Sequence, residues 1–268
     1  MLHSHHSFRL TFILAIALTI GLTGCAGLED TSILTPPPGT PTPVPSPTIV
    51  WFPPSATPTP QVFPTKAPTP EQKPGIGSVA MTDDFSSPLV WDTATSDQAG
   101  VNVSNHQLTI AVQPGVFADS FRKDVILSDF YAEITASLSL CRGQDEYGFL
   151  FRAPNSVAFY TYALSCDGHA RVERTSVATH LPLQPPTPSG DVPTGAPGQT
   201  RLGVWAVGPD LRFFLNGRYQ FSVNDRSYAS GGIGVFAHSV GDTPVTVIFS
   251  NLAVYDVTYT PPTRTPKP

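Results

Sequence analysis

The chain is short of cysteine and of charge. It has three cysteines in 268 residues and only 13% charged residues, with a formal net charge of −5. Lysine is scarcest, at Lys66, Lys73, Lys123 and Lys267, and the arginines are scattered. Nucleic-acid recognition needs a clustered Lys/Arg footprint, so that class is excluded. No apolar run reaches the ~20 residues that a membrane-spanning helix requires. No segment between 78 and 260 carries a convincing helical stripe. There is no Gly-x-Ser-x-Gly elbow, no His-Glu-x-x-His and no phosphate loop. Glutamate in that span is limited to Glu133, Glu146 and Glu173. No strand carries two glutamates around an aspartate, one arrangement by which some retaining glycosidases set a nucleophile and an acid about 5 Å apart.

What the chain does have begins at its start. Arg9 and three nearby histidines precede an apolar core from Leu10 to Leu22, which reads as a signal segment over 1–24. The next residues, Leu22-Thr23-Gly24-Cys25, resemble the lipobox of bacterial lipoproteins. The resemblance implies that Cys25 becomes the acylated first residue of the mature chain, anchored outside the cytoplasm. Ordinary secretion with a leftover cysteine is the alternative. Two or three acyl chains, at ~0.8 kcal/mol per buried methylene, hold a protein firmly. Half of the 30 prolines then fall between Pro36 and Pro74. Residues 25–77 read as a disordered tether, whose 35–74 stretch reaches ~120 Å when extended. A similar tail occupies 261–268.

Residues 78–260 form one domain of short Val-, Ile-, Phe- and Tyr-rich runs separated by turn residues, an all-β pattern. Strands are expected at 130–141, 147–152, 157–165, 169–174, 201–207, 211–215, 218–223, 232–238 and 245–257. Asn216-Gly217 is a type I′ hairpin signal. The succession "DDFSSPLVW", "DEYGFLFRAPNSVAFYTYALSCDGHARVER", "RLGVWAVGPDLRFFLNGRYQFSV" and "GGIGVFAHSV…VTVIFSNLAVYDV" resembles the concanavalin A-like, laminin-G-like jelly-roll domain of bacterial surface proteins. It is also similar to domains known as 3-keto-disaccharide hydrolases. The resemblance implies a jelly-roll β-sandwich of antiparallel sheets. Its motifs describe strands and turns, not an active site. The proline-rich stretch 181–199 departs from the pattern and reads as a long exposed loop.

In an oxidising milieu, Cys141 and Cys166 read as a disulfide. If 130–141, 147–152 and 157–165 form a meander, the cysteine-bearing strands lie ~9.6 Å apart. That is beyond the ~7 Å limit for bridging, so both cysteines must sit past the end of the middle strand. Metal ligation is the alternative, but the two thiols lack paired histidines. Gln144, Asp145, Glu146 and Asp167 gather near this rim, either to hold calcium or as a solvated acidic edge; no cofactor is otherwise implied. His106, His169, His180 and His238 lack obvious carboxylate partners.

Strand parity supplies a candidate ligand face. With Leu202, Val204 and Ala206 inward, Trp205 points out. With Leu211, Phe213 and Leu215 inward, Arg212 and Phe214 point out. Tyr147, Phe149 and Phe151 inward leave Arg152 outward, and Tyr160 shares a face with Tyr162. Aromatic rings beside charged donors suit a sugar ring, unless these aromatics lie in the core. The expected function is a lipid-anchored, non-catalytic glycan-binding module. The alternatives are a hydrolase, which predicts carboxylates or a metal on one sheet face, and a protein-interaction or display module.

Overall fold

Buried side chains alternate with more exposed ones along Ala99–Ser104, Gln107–Val112, Phe130–Leu140, His169–Ser176 and Val245–Val257. Glu146–Asn155, Ala158–Ser165 and Gly232–His238 are buried nearly throughout, and two antiparallel sheets close over the apolar sets. The computed structural model describes residues 71–260 and, apart from them, Gly39. The signal segment, Cys25, most of the tether and the 261–268 tail lie outside the described residues.

In chain order the strands are β1 (Ile76–Asp83), β2 (Ala94–Thr95), β3 (Ala99–Ser104), β4 (Gln107–Val112), β5 (Phe117–Phe121), β6 (Phe130–Leu140), β7 (Glu146–Asn155) and β8 (Ala158–Ser165). They continue as β9 (His169–Ser176), β10 (Thr179–Pro188), β11 (Gly198–Val207), β12 (Asp210–Leu215), β13 (Arg218–Asn224), β14 (Gly232–His238) and β15 (Val245–Val257). One sheet runs β13-β12-β11-β6-β15-β4-β3-β2, with β1 also on β15; the other runs β10-β9-β8-β7-β14-β5. The strands expected from β6 to β9 and from β11 to β15 are present. Asn216 and Gly217 both have positive φ, as a type I′ turn requires.

Between the sheets, Ile134, Val204, Phe213 and Val247 of the nine-stranded sheet face Tyr147, Phe149, Tyr162 and Val235 of the six-stranded sheet. The "DDFSSPLVW" opening is a structural knot. The buried Asp83 carboxylate accepts the Phe85 N–H, the Trp91 indole N–H at 2.8 Å and a guanidinium N–H of Arg122.

Two expectations are corrected. β6 lies in the nine-stranded sheet while β7 and β8 lie in the other, so there is no three-strand meander. The Cys141–Cys166 disulfide, with a Cα–Cα distance of 5.9 Å, therefore joins the ends of β6 and β8 across the sandwich. The stretch 181–199 is not simply a loop, because its first part belongs to β10, the outer strand beside β9. Pro182, Pro185, Pro186 and Pro188 are tolerated there because an edge strand does not need every N–H, and they leave little edge for another chain to pair with.

Candidate functional site

The outer face of the six-stranded sheet carries the densest chemistry. Interstrand register places its outward residues in rows. One row reads His169, Ser165, Glu146, His238, Phe117; the next reads Arg171, Ala163, Gly148, Phe236, Asp119. The middle of the second row is small, and that smallness organises the site. Over Ala163 the Arg171 side chain can cross β8 to reach β7. There Nε donates to Glu146 Oε1 at 2.7 Å and Nη2 to Glu146 Oε2 at 2.8 Å. Nη1 donates to Glu173 Oε2 at 2.7 Å. At Gly148 an added Cβ would come within 2.9 Å of the Phe236 ring. Glycine there lets Phe236 lie against the sheet as a floor.

Phe117 stacks on Phe236 with ring centroids 5.5 Å apart, and it packs edge-on to His238. Phe236 is 1% exposed but Phe117 is 45% exposed, so Phe117 is the ring available to a ligand. Phe159 and Phe121 continue the apolar floor. His180 on β10 lies 2.8 Å through Nδ1 from Glu173 Oε1. Phe117, Glu146, Phe159, Arg171, Glu173 and His180 line a depression of about 280 Å³. A second depression of about 310 Å³ adjoins it toward the disulfide rim and is lined by Gln144, Asp167, His169 and Pro186. Glu146 and Arg171 line both.

The electrostatics follow from this packing. Burial opposes the charge on Glu146, but the Arg171 hydrogen bonds, with help from His238, outweigh it and hold the carboxyl at about 2. The same pairing raises Arg171 above the usual guanidinium range. Asp119 behaves oppositely: burial pushes its carboxyl up, and Asp92 adds like-charge repulsion. Asp167 is lowered by its hydrogen bond from Ser165.

The residues singled out by parity lie elsewhere. Trp205, Arg212 and Phe214 do point away from the core, but residues 71–76 and 257–259 cover that face. Trp205 is 0% and Phe214 1% exposed. The Trp205 indole N–H donates to Pro74 O at 3.0 Å, and Tyr259 packs on its ring. Arg212 lies over Trp205 and donates to Gln72 O. Lys73 sits 5.0 Å from the Phe214 ring centre. Tyr160 and Tyr162 lie in the core between the sheets, fully buried. Tyr160 donates to Asp225, and Tyr162 to Phe214 O.

Arg152 is also buried rather than outward. Its φ of 47° and the register shift after Phe151 mark a bulge that turns it inward. There it donates to the carbonyls of Ser128, Gly208 and Tyr228. An exposed face built from Arg152, Tyr160, Tyr162, Trp205, Arg212 and Phe214 does not exist.

The acidic rim also disperses. The Asp145 carboxylate accepts the backbone N–H groups of Val240, Gly241 and Arg142. Glu146 belongs to Arg171, and Asp167 to Ser165 and His169. Among the described residues no group of three or more His, Cys, Asp or Glu is placed to hold a metal ion. The four histidines do have carboxylate neighbours: Asp84 for His106, Asp167 for His169, Glu173 for His180 and Glu146 for His238. Reading the β7–β8 and β8–β9 pairings together would have revealed the Glu146–Arg171 hub; single-strand parity does not.

The fold can be compared with solved structures. It is similar to the carbohydrate binding module CBM66 from Bacillus subtilis, with TM-score 0.52 and 14% identity over 62% of this chain and 96% of that chain. It is also similar to the catalytic domain of an endo-1,3-beta-glucanase (laminarinase) from Thermotoga petrophila RKU-1, with TM-score 0.50 and 9% identity over 68% and 98%. A third is a protein of unknown function with a galectin-like fold from Bacillus subtilis, with TM-score 0.50 and 12% identity over 69% and 99%. The domain has a jelly-roll β-sandwich fold. No protein-family model matches the chain, and no curated protein matches it. At 9–14% identity these likenesses establish the jelly roll alone. The site stands on its own geometry.

Proposed function

We propose that this protein is an exported, bacterial surface lipoprotein, anchored through Cys25, whose jelly roll binds glycan on the outer face of the six-stranded sheet without turning it over. One observation carries the binding reading. The exposed Phe117 ring borders a depression walled by the Glu146–Arg171–Glu173 network. Sugar C–H faces stack on such a ring, while charge-assisted acceptors and donors take the hydroxyls. The arrangement favours binding over turnover. A carboxyl held at about 2 cannot serve as a general acid near neutrality, and its two oxygens are already engaged by Arg171.

A second reading, a glycoside hydrolase, is favoured by one specific feature. This face gathers Glu146, Glu173 and Asp119, and the Asp119 carboxyl is raised. Asp119 lies on the edge strand β5 and lines neither depression. A glycan array probed with the full chain, followed by product analysis of each hit, separates the readings. Retention without product supports binding, product formation establishes the hydrolase, and absence of both points to a protein partner or display role. The anchor has its own test: Cys25→Ser should abolish lipid labelling and membrane association, and unchanged labelling would refute it.

A further inference from the structure

Two depressions flank one ion pair, and they differ in kind. The Phe117 side has an aromatic platform. The other has none: it is lined by Asp167 and His169, hydrogen-bonded at 2.9 Å, with Gln144 and Pro186. Glu146 and Arg171 form the wall common to both, so a ligand contacting that wall from either side is positioned to extend over it. Charge adds a second constraint. Across the two depressions, the carboxylates of Glu146, Glu173 and Asp167 face a single guanidinium, Arg171. All three nitrogens of Arg171 already donate to glutamate oxygens. The remaining titratable lining groups are His169, His180 and His238, and His169 and His180 each lie within hydrogen-bonding distance of a carboxylate. The site therefore offers acceptors in excess and no unneutralised guanidinium to an incoming anion.

We infer that the ligand is a neutral or amine-bearing oligosaccharide of at least three sugar units. One ring lies on Phe117, the chain crosses the Glu146–Arg171 wall so that a later ring occupies the Asp167/His169 depression, about four strand spacings away, and uronic, sialic or sulfated glycans are rejected. This rests on the glycan-binding reading and deepens it. The rejection has a physical origin, since an added carboxylate would be desolvated beside three existing ones.

The test is titration of the full chain with monosaccharides and with matched trimers. The panel includes neutral β-glucan, fructan and mannan trimers, a glucosamine trimer, a galacturonic acid trimer and a sulfated trimer. At least one neutral or glucosamine trimer should bind tenfold or more tightly than its monosaccharide, and acidic trimers at least tenfold more weakly than that. Asp167→Asn lies on an exposed turn and should fold. It should bring the trimer-to-monosaccharide ratio down severalfold and relax the discrimination against acidic trimers. Acidic trimers binding as well as neutral ones, equal affinity for monosaccharide and trimer, or an unchanged ratio in Asp167→Asn would each overturn the inference while leaving the glycan-binding reading intact. Absence of binding to any sugar would overturn the reading itself.

Discussion

Trp205 donates its indole N–H to the carbonyl oxygen of Pro74 at 3.0 Å. The last proline of the tether-like stretch is thus part of the domain, and Gly75 O accepts the Thr258 N–H beside it. The chain's entry and exit segments close together over the outer face of the nine-stranded sheet, away from the face that carries Phe117.

That strap should be measurable as stability. Trp205→Ala removes a fully buried indole and its hydrogen bond, and large-to-small changes of this kind cost about 3–5 kcal/mol. For a domain of this size the melting temperature should fall by on the order of 10 °C. A chain beginning at Ile76 should show a smaller drop, since it loses only the cover. An unchanged melting temperature in both would contradict the packing role.

Arg152 gives a sharper case. Arg152→Met removes the donor shared by the carbonyls of Ser128, Gly208 and Tyr228, and hydrogen bonds to a charged group are worth about 1.5–3 kcal/mol each. Denaturant unfolding should show a loss of several kcal/mol. Arg152→Lys should recover only part, because an ammonium cannot reach three carbonyls from the guanidinium's fork.

The fold was largely legible and the site was not. Alternation in "FYAEITASLSL" and "VTVIFSNLAVYDV", and the Asn216-Gly217 turn, name their strands without help. Parity placed Trp205, Arg212 and Phe214 on the outward face correctly. It could not say that residues 71–76, which lie at the end of the proline-rich stretch and carry no periodic signal, would lie on top. Arg152 was misread because a bulge shifts the alternation by one residue, and nothing in "GFLFRAPN" announces it. The Glu146–Arg171–Glu173 hub depends on β7, β8 and β9 being neighbours in register, which is a property of three strands. Its signal is the small Ala163, over which the Arg171 side chain crosses β8, while Gly148 makes room for Phe236 beside it.

Acid should expose the Glu146 pairing. The carboxyl sits at about 2 in the folded protein against an ordinary 4.5, so the unfolded chain takes up the proton first. The stabilisation is complete above about 4.5 and is lost as pH falls toward about 2. It amounts to roughly 3 kcal/mol at most, at 1.36 kcal/mol per unit. Urea unfolding from pH 6 to pH 2.5 should therefore show a steeper decline for the wild-type chain than for Glu146→Gln. Parallel declines would mean that Arg171 does not hold Glu146 in this way.

The inter-sheet disulfide closes a separation of 25 residues. Chain entropy assigns such a bridge about 3–4 kcal/mol. Replacing both Cys141 and Cys166 with alanine should lower stability by that order without changing ligand affinity more than twofold. Loss of binding in a folded double variant would show that the bridge positions the Gln144–Asp167 rim as well as the sandwich.

The most direct measurement is the retardation of the full chain and of Phe117→Ala in affinity gels containing neutral polysaccharides. Phe117 is exposed, so its removal should leave the melting temperature within about 2 °C. The account predicts retardation of the wild-type chain by at least one neutral polysaccharide and a tenfold or greater loss in Phe117→Ala. Equal retardation of both proteins would place binding away from the six-stranded sheet's outer face and contradict the account.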